Sequence, residues 1–151
     1  MAHNPINHPA RPVYRAITGL IGLYLVIFGV LGVVQSAGQD LFEQDDSLVL
    51  GQGTNLAGAA LSGLLGVLIL GTTALGRNVD VRVNKPLGYL VMALGLGELA
   101  VLRTSANVLD FTIATCIVVM LLGLVLLTAA MYCTIGSDEE ASAARDARLV
   151  L

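Results

Sequence analysis

Four long apolar runs, separated by short polar segments, limit what this chain can fold into. They cover about residues 16–34, 56–75, 87–102 and 109–133. A transmembrane helix needs about 20 mainly apolar residues, because the hydrocarbon core is about 30 Å thick. The chain is 56% hydrophobic and 13% charged, whereas soluble domains are close to half apolar and about a quarter charged. The sequence therefore predicts an all-α integral membrane protein, a four-helix bundle.

Polar segments define the rest of the organisation. Residues 1–12 contain three of the four prolines, which predicts an extended arm. Residues 13–135 form the predicted membrane domain, and residues 136–151 form a charged tail with a short amphipathic helix. The first apolar run exceeds the roughly 7–15 residues of a signal-peptide core, which favours a retained membrane helix. Pro86 is expected at the first helical position of the third span, where its missing N–H is tolerated.

The distribution of Lys and Arg predicts how the helices are oriented. Seven basic residues fall on the side of the two termini, whereas Arg103 falls on the other side. Cytoplasmic loops are enriched in Lys and Arg, so both termini are predicted to be cytoplasmic. The acidic loop of residues 35–55 then faces outward. The seven residues are Arg11, Arg15, Arg77, Arg82, Lys85, Arg145 and Arg148.

Short sequence matches indicate a parallel repeat of a two-helix unit. They pair residues 24–26 with 89–91, 31–32 with 96–97, and 64–66 with 121–123. In this alignment Glu98 corresponds to Val33. Such a repeat would relate the two halves by an axis along the membrane normal. Leu and Gly are common in membrane helices, so chance similarity is the alternative.

One ionisable side chain, Glu98, lies inside an apolar run. A carboxylate at the centre of a membrane helix costs about 2.5–3.5 kcal/mol on insertion scales, so such residues usually face the protein interior and have a partner. With Arg103 and Asp110 nearby in the sequence, Glu98 forms a candidate intramembrane polar site for a proton or cation. The alternative is an ion pair or hydrogen bond that fixes the packing of the third and fourth spans.

Small residues recur at helical spacing in the first two spans. This spacing lets the backbones of neighbouring helices approach closely. Packing within the bundle is one interpretation, and an interface with an oligomer or partner subunit is the other. The predicted packing faces contain Gly58, Ser62, Gly63, Gly66, Gly29 and Gly32.

The remaining reactive residue types do not form a recognisable site. His3 and His8 lie in the arm, and a closed zinc site needs four ligands. Cys116 and Cys133 are about 25 Å apart if on one helix, too far for a disulfide. No phosphate-binding loop, metalloprotease motif or basic cluster is present. The sequence predicts no enzyme, no cofactor, no metal and no nucleic-acid partner.

Three segments together carry a family resemblance. They are the stretch from His8 to Arg15, the acidic outer loop, and the sequence Asn-Lys-Pro-Leu-Gly at residues 84–88. In these the chain resembles a family of small four-helix integral membrane proteins of unknown function, common in actinobacteria. The resemblance covers roughly residues 8–133 and implies a bacterial plasma membrane. It provides no assigned catalytic residues.

These features favour an accessory or scaffold subunit that packs against another membrane protein in the lipid bilayer. The alternative is a small homo-oligomeric transporter or channel that uses Glu98. A third interpretation is an oxidoreductase subunit that contributes a quinone-facing or lipid-facing surface.

Overall fold

The structure, a computed structural model, describes residues 5–45 and 48–149, and most of them are helical. The elements are α1 (Arg11–Gln35), β1 (Leu48–Val49), β2 (Gln52–Gly53), α2 (Leu56–Leu75), α3 (Val79–Val101), α4 (Ile113–Met131) and α5 (Asp138–Leu149). The two short strands pair antiparallel within the α1–α2 loop. His3 and Asp46 lie outside the described residues.

Three of these helices, α1, α2 and α4, are long and apolar enough to cross a membrane. This confirms the prediction of a helical chain suited to a membrane. Helix α3 is not among them, because Asp80, Arg82, Lys85 and Glu98 interrupt its apolar sequence. Its relation to the membrane therefore depends on how it packs against its neighbours.

The long helices pack as two antiparallel hairpins. Helix α1 pairs with α2 and α3 pairs with α4, while α1–α4 and α2–α3 contacts are less extensive. One end of the assembly carries the chain termini and the α2–α3 turn, and we call it the terminal end. The opposite end carries the α1–α2 and α3–α4 loops, and we call it the loop end.

Glycines allow the same close approach in both hairpins. A Cβ atom built on Gly66 would lie 2.6 Å from a backbone atom of α1, and one on Gly123 would lie 2.6 Å from a backbone atom of α3. The same two Cβ atoms would lie 2.7 Å from the Gly22 carbonyl oxygen and 2.9 Å from that of Gly88. The hairpins thus make equivalent contacts in equivalent order. Gly66 and Gly123 are also equivalent in the sequence matches.

The glycine contacts favour an alignment of α1 with α3 that is shifted by one residue from the sequence match. The sequence match of residues 24–26 with 89–91 aligns Gly32 with Gly97, but these two glycines have different surroundings. A Cβ on Gly32 would lie 2.5 Å from the Ala59 side chain, whereas Gly97 has nothing within 4 Å. If Gly22 is matched to Gly88 on these contacts, Glu98 is aligned with Gly32, one residue from Val33 in the sequence match.

The third helix begins earlier than the sequence predicted. Helix α3 starts at Val79, so Pro86 lies about two turns inside it and not at its first position. An acidic residue in the first turn, Asp80, suits the positive end of the helix dipole. Asp80 and Asn84 are buried and extend the inward face of the helix by two turns. Pro86 removes one backbone hydrogen bond, to the Arg82 carbonyl.

Two other helix boundaries differ from the predicted spans. Helix α1 begins at Arg11, with a proline in its first turn, so the arm is shorter than predicted. Helix α4 begins at Ile113 and not near residue 109, because Thr112 forms a capping box. The preceding turn is held by Asn107, which donates to the Phe111 carbonyl at 3.0 Å and accepts from its N–H at 2.9 Å.

Candidate functional site

Glu98, the predicted intramembrane residue, is buried about one turn before the end of α3, with a relative exposure of 7%. Its Oε2 atom is buried and has no hydrogen-bond partner among the described residues. The Cys116 thiol on α4 is close enough to interact electrostatically with the carboxyl group. Glu98 is thus a buried carboxyl group with one oxygen that lacks a hydrogen-bond partner among the described residues.

The structure places the other two predicted site residues, Arg103 and Asp110, in the α3–α4 loop, beyond the end of the helix that carries Glu98. Arg103 lies beyond the end of α3 and is exposed, and within residues 5–45 and 48–149 it makes no ion pair with Glu98. Asp110 accepts a hydrogen bond from the Asp45 N–H at 3.3 Å. Arg103 and Asp110 therefore belong to the surface of the loop end.

Hydrogen bonds from the α1–α2 loop to the α3–α4 loop and to helices α1 and α4 cover the loop end. Asn55 donates to the Val108 carbonyl at 2.8 Å, and Thr115 donates to the Gly53 carbonyl at 2.8 Å. The Gln52 side chain donates to the Tyr24 hydroxyl on α1. These contacts tie the strand pair to both hairpins and close the loop end of the structure over the helices.

A buried ionic cluster, which sequence reasoning missed, lies at the terminal end. Asp80 has a side-chain exposure of 3%, and its Oδ2 atom lies 3.7 Å from Arg11 Nη2 and 3.6 Å from Arg15 Nε. Arg11 also donates to the Cys133 carbonyl at 2.9 Å, and Arg15 donates to the Thr73 carbonyl. The cluster therefore connects α1 with α3 and with the ends of α2 and α4.

Neutral polar side chains extend this cluster between α2 and α3. Thr72 donates to the Asn84 side-chain oxygen at 2.9 Å, and Asn84 donates to the Thr73 hydroxyl at 3.3 Å. Packing here leaves no room for a water molecule between Arg15, Asp80 and the neighbouring side chains. The arrangement is suited to holding helices together. A binding site would need open space.

Helical periodicity in the polar segment before Pro86 is the sequence feature that could have predicted this cluster. Asp80, Asn84, Leu87 and Val91 recur at spacings of three or four residues and share the buried face of α3. Asp80 and Asn84 precede Pro86, so in the sequence they resemble part of the α2–α3 connection. The apolar part of the pattern begins only at Leu87.

An open apolar groove lies between α1 and α2 on the outer surface. It has a volume of about 440 Å³, and Gly29 and Gly63 line it together with Val30, Leu64 and Val67. A Cβ on Gly63 would meet nothing closer than Gly29 Cα at 3.7 Å. The groove is therefore shallow, apolar and able to accept a larger side chain at Gly63.

The second hairpin fills the equivalent place with one of its own side chains. Met120 precedes Gly123 by the same three residues by which Gly63 precedes Gly66. A Cβ on Gly95 would lie 2.7 Å from Met120 Cγ, so the methionine covers that glycine. The groove in the first hairpin thus corresponds to a position occupied by a flexible apolar side chain in the second.

Most of the predicted small-residue faces contribute to contacts inside the protein. Gly29, Gly32, Gly58 and Gly66 are buried between helices or under the loops. The buried Ser62 hydroxyl donates to the backbone carbonyl of Gly58 at 2.8 Å. Gly63, by contrast, is only partly buried.

His8 and the two cysteines pack against other residues of the protein. His8 contacts the rings of Tyr14 and Tyr132 edge-on, and its Nδ1 accepts from the Ala10 N–H at 3.1 Å. Cys116 and Cys133 are buried and free. In the described part of the chain, no group of three His, Cys, Asp or Glu residues could hold a metal ion.

Comparison with protein-family models, with curated proteins and with solved structures finds no match to this chain.

Proposed function

We propose that this chain is a non-enzymatic accessory or scaffold subunit that binds an apolar transmembrane helix of another membrane protein in the α1–α2 groove. The observation that carries the proposal is the contrast between the open position at Gly63 and the equivalent position, which Met120 fills. A partner helix inserting one unbranched apolar side chain beside Gly63 would complete the first hairpin. Close backbone approach over small residues drives helix association in membranes.

The membrane arrangement proposed for this subunit is a four-helix bundle with both termini in the cytoplasm of a bacterial plasma membrane. Packing of α3 against α2 and α4 supports its placement as a fourth span. Arg11, Arg15, Arg77 and Lys85 lie at the terminal end, while Arg103 lies at the loop end. This asymmetry supports a cytoplasmic terminal end. The same arrangement is what the resemblance to the small actinobacterial membrane proteins implies.

The equivalent glycine contacts support a parallel repeat of one two-helix unit. The caps of the second helix in each unit add to this support. Asn55 before α2 and Thr112 before α4 are both extended, and each accepts a hydrogen bond from the N–H three residues later. In this repeat the two hairpins diverge at Gly63 and Met120, so the groove is a feature of one copy.

Filling the groove from within is expected to abolish partner binding. In the Gly63→Met variant the new side chain occupies the groove as Met120 does in the second hairpin, and folding is retained because the site has room. The tagged protein is extracted in mild detergent from its own membrane, and mass spectrometry measures the co-purifying proteins. Gly71→Met is the matched control on α2, since a Cβ on Gly71 would have nothing within 4 Å and the site lies outside the groove. Equal partner recovery with both variants would contradict the proposal.

A photo-crosslinking residue at Leu64 gives a second, direct readout. Leu64 is 70% exposed and lines the groove, whereas Leu90 on α3 is 64% exposed and serves as the control. The proposal requires an adduct from Leu64 to a helix of a different protein. An adduct from Leu64 to another copy of this chain would show that the groove is a homo-oligomer interface, which would contradict the proposal of an accessory subunit.

A homo-oligomeric transporter or channel is the second candidate function. Its support is the buried Glu98 carboxyl group, which has an oxygen without a partner among the described residues. Under this candidate, Glu98→Gln is expected to abolish ion flux into liposomes while purification and oligomeric state stay unchanged. Glu43→Gln, at an exposed loop carboxylate, is the control. Equal flux with Glu98→Gln and with the unaltered protein would exclude this role.

A further inference from the structure

We infer that Glu98 is a reversible proton-binding site, which holds its proton at neutral pH and is open to covalent modification by apolar carbodiimides. This inference concerns the side chain itself, so it stands whether the protein acts as an accessory subunit or as a transporter. The first supporting observation is burial: Glu98 is 7% exposed, and its Oε2 atom has no partner among the described residues. An ionised carboxylate without partners is strongly disfavoured in such a place.

The helices around Glu98 supply no positive charge that would stabilise an ionised carboxylate. Helix α3 packs against α2 and α4. Helix α2 has no titratable side chain, and the titratable side chain of α4 is the Cys116 thiol, which carries no positive charge. The nearest arginine in the sequence, Arg103, is exposed beyond the end of α3. Asp80, on the same helix, lies at the terminal end with Arg11 and Arg15.

A partner protein is also a poor source of the missing charge or hydrogen bond. Because the Oε2 atom is buried, a helix docked on the outer surface could not contact it without displacing the atoms that cover it. Protonation removes the need for a counter-charge at this buried position, since a neutral carboxyl group has no charge to compensate. Its new O–H group can also donate to a nearby backbone carbonyl.

The repeat indicates that Glu98 is not needed to close its hairpin. The first hairpin has Gly32 at the equivalent position, packed against Ala59. In the second hairpin the same pair of positions carries Glu98 and Cys116. The second hairpin therefore has an ionisable carboxyl group where the first hairpin has only a close helix contact. Ionisable residues inside membrane proteins are typically functional.

Modification by dicyclohexylcarbodiimide depends on the proposed proton. The carboxyl oxygen of Glu98 bonds to the central carbon of the reagent, and the proton moves to one of its nitrogens. Transfer of the acyl group to nitrogen then gives an N-acylurea. No group leaves, so the mass of the labelled peptide rises by the mass of the whole reagent.

The test labels the full-length protein in liposomes with dicyclohexylcarbodiimide and maps the adducts by mass spectrometry. We expect an adduct on Glu98 at neutral pH that declines at alkaline pH. Glu98→Asp should keep the adduct, and Glu98→Gln should lose it. The carboxyl groups of Glu43 and Glu139, which are exposed to water, should stay unlabelled.

Infrared spectroscopy decides the case even if the bulky reagent cannot reach the site. The unaltered protein should show the carbonyl band of a protonated carboxylic acid at neutral pH, and Glu98→Gln should lose it. Thermal stability should be the same in both, since glutamine resembles a neutral glutamic acid. A band of equal intensity in both proteins, or no band in either, would overturn the inference.

Discussion

Replacing Asp80 by asparagine is expected to destabilise the folded protein by about 2 kcal/mol, although the two side chains have the same shape. The change leaves the guanidinium groups of Arg11 and Arg15 without their carboxylate. Removing one partner from a fully buried pair costs about 3–5 kcal/mol. The expected loss is smaller here, because the arginine side chains keep exposures of 20% and 32%.

The measurement is reversible unfolding in detergent, followed by circular dichroism. Glu139→Gln is the control, since it removes an exposed carboxylate from α5. Combining Asp80→Asn with Arg15→Gln should restore part of the lost stability, with a coupling of about 1–3 kcal/mol. Additive effects of the two substitutions would show that Asp80 and Arg15 do not interact energetically.

This cluster illustrates what the sequence could not reveal about the terminal end. From the sequence, Arg11 and Arg15 are basic residues near the start of the first span. This position predicts which side of the membrane they face and says nothing about their contacts. Their contact with Asp80 joins residues far apart in the chain and depends on how α1 and α3 pack. The early start of α3 was obscured by Pro86, which usually ends a helical pattern.

The apolar segments were easier to predict, because length and composition decide whether a helix can cross a membrane. Helix α2 begins and ends at Leu56 and Leu75, as the apolar run suggested. Strands β1 and β2 were missed because two residues each are too few to show an alternating pattern. The α1–α3 register was missed for another reason: Gly97 matches Gly32 in type but faces open space.

Glu98 was recognisable from sequence as a charged residue in an apolar run, but its surroundings were not. The expectation that Arg103 and Asp110 lie close to it used sequence distance alone. The chain turns after Val101, and the following residues extend to the surface of the loop end. Only the helix packing shows that its Oε2 atom is buried and lacks a hydrogen-bond partner among the described residues.

Adding one methyl group at Gly66 or at Gly123 is expected to destabilise the protein by similar amounts, about 1–3 kcal/mol each. In both Gly→Ala variants the new Cβ would lie 2.6 Å from backbone atoms of the paired helix. Backbone cannot move aside as a flexible side chain can, so each hairpin must separate. Unfolding in detergent measures both losses on the same scale.

Two alanine variants at open positions distinguish this steric effect from a general effect of replacing glycine in a helix. Gly71 and Gly97 have nothing within 4 Å, so Gly71→Ala and Gly97→Ala should leave stability unchanged or raise it slightly. If Gly66→Ala were destabilising and Gly123→Ala were not, the equivalence of the hairpins would fail. Both the repeat and the interpretation of the groove as an unfilled Met120 position would then lose their basis.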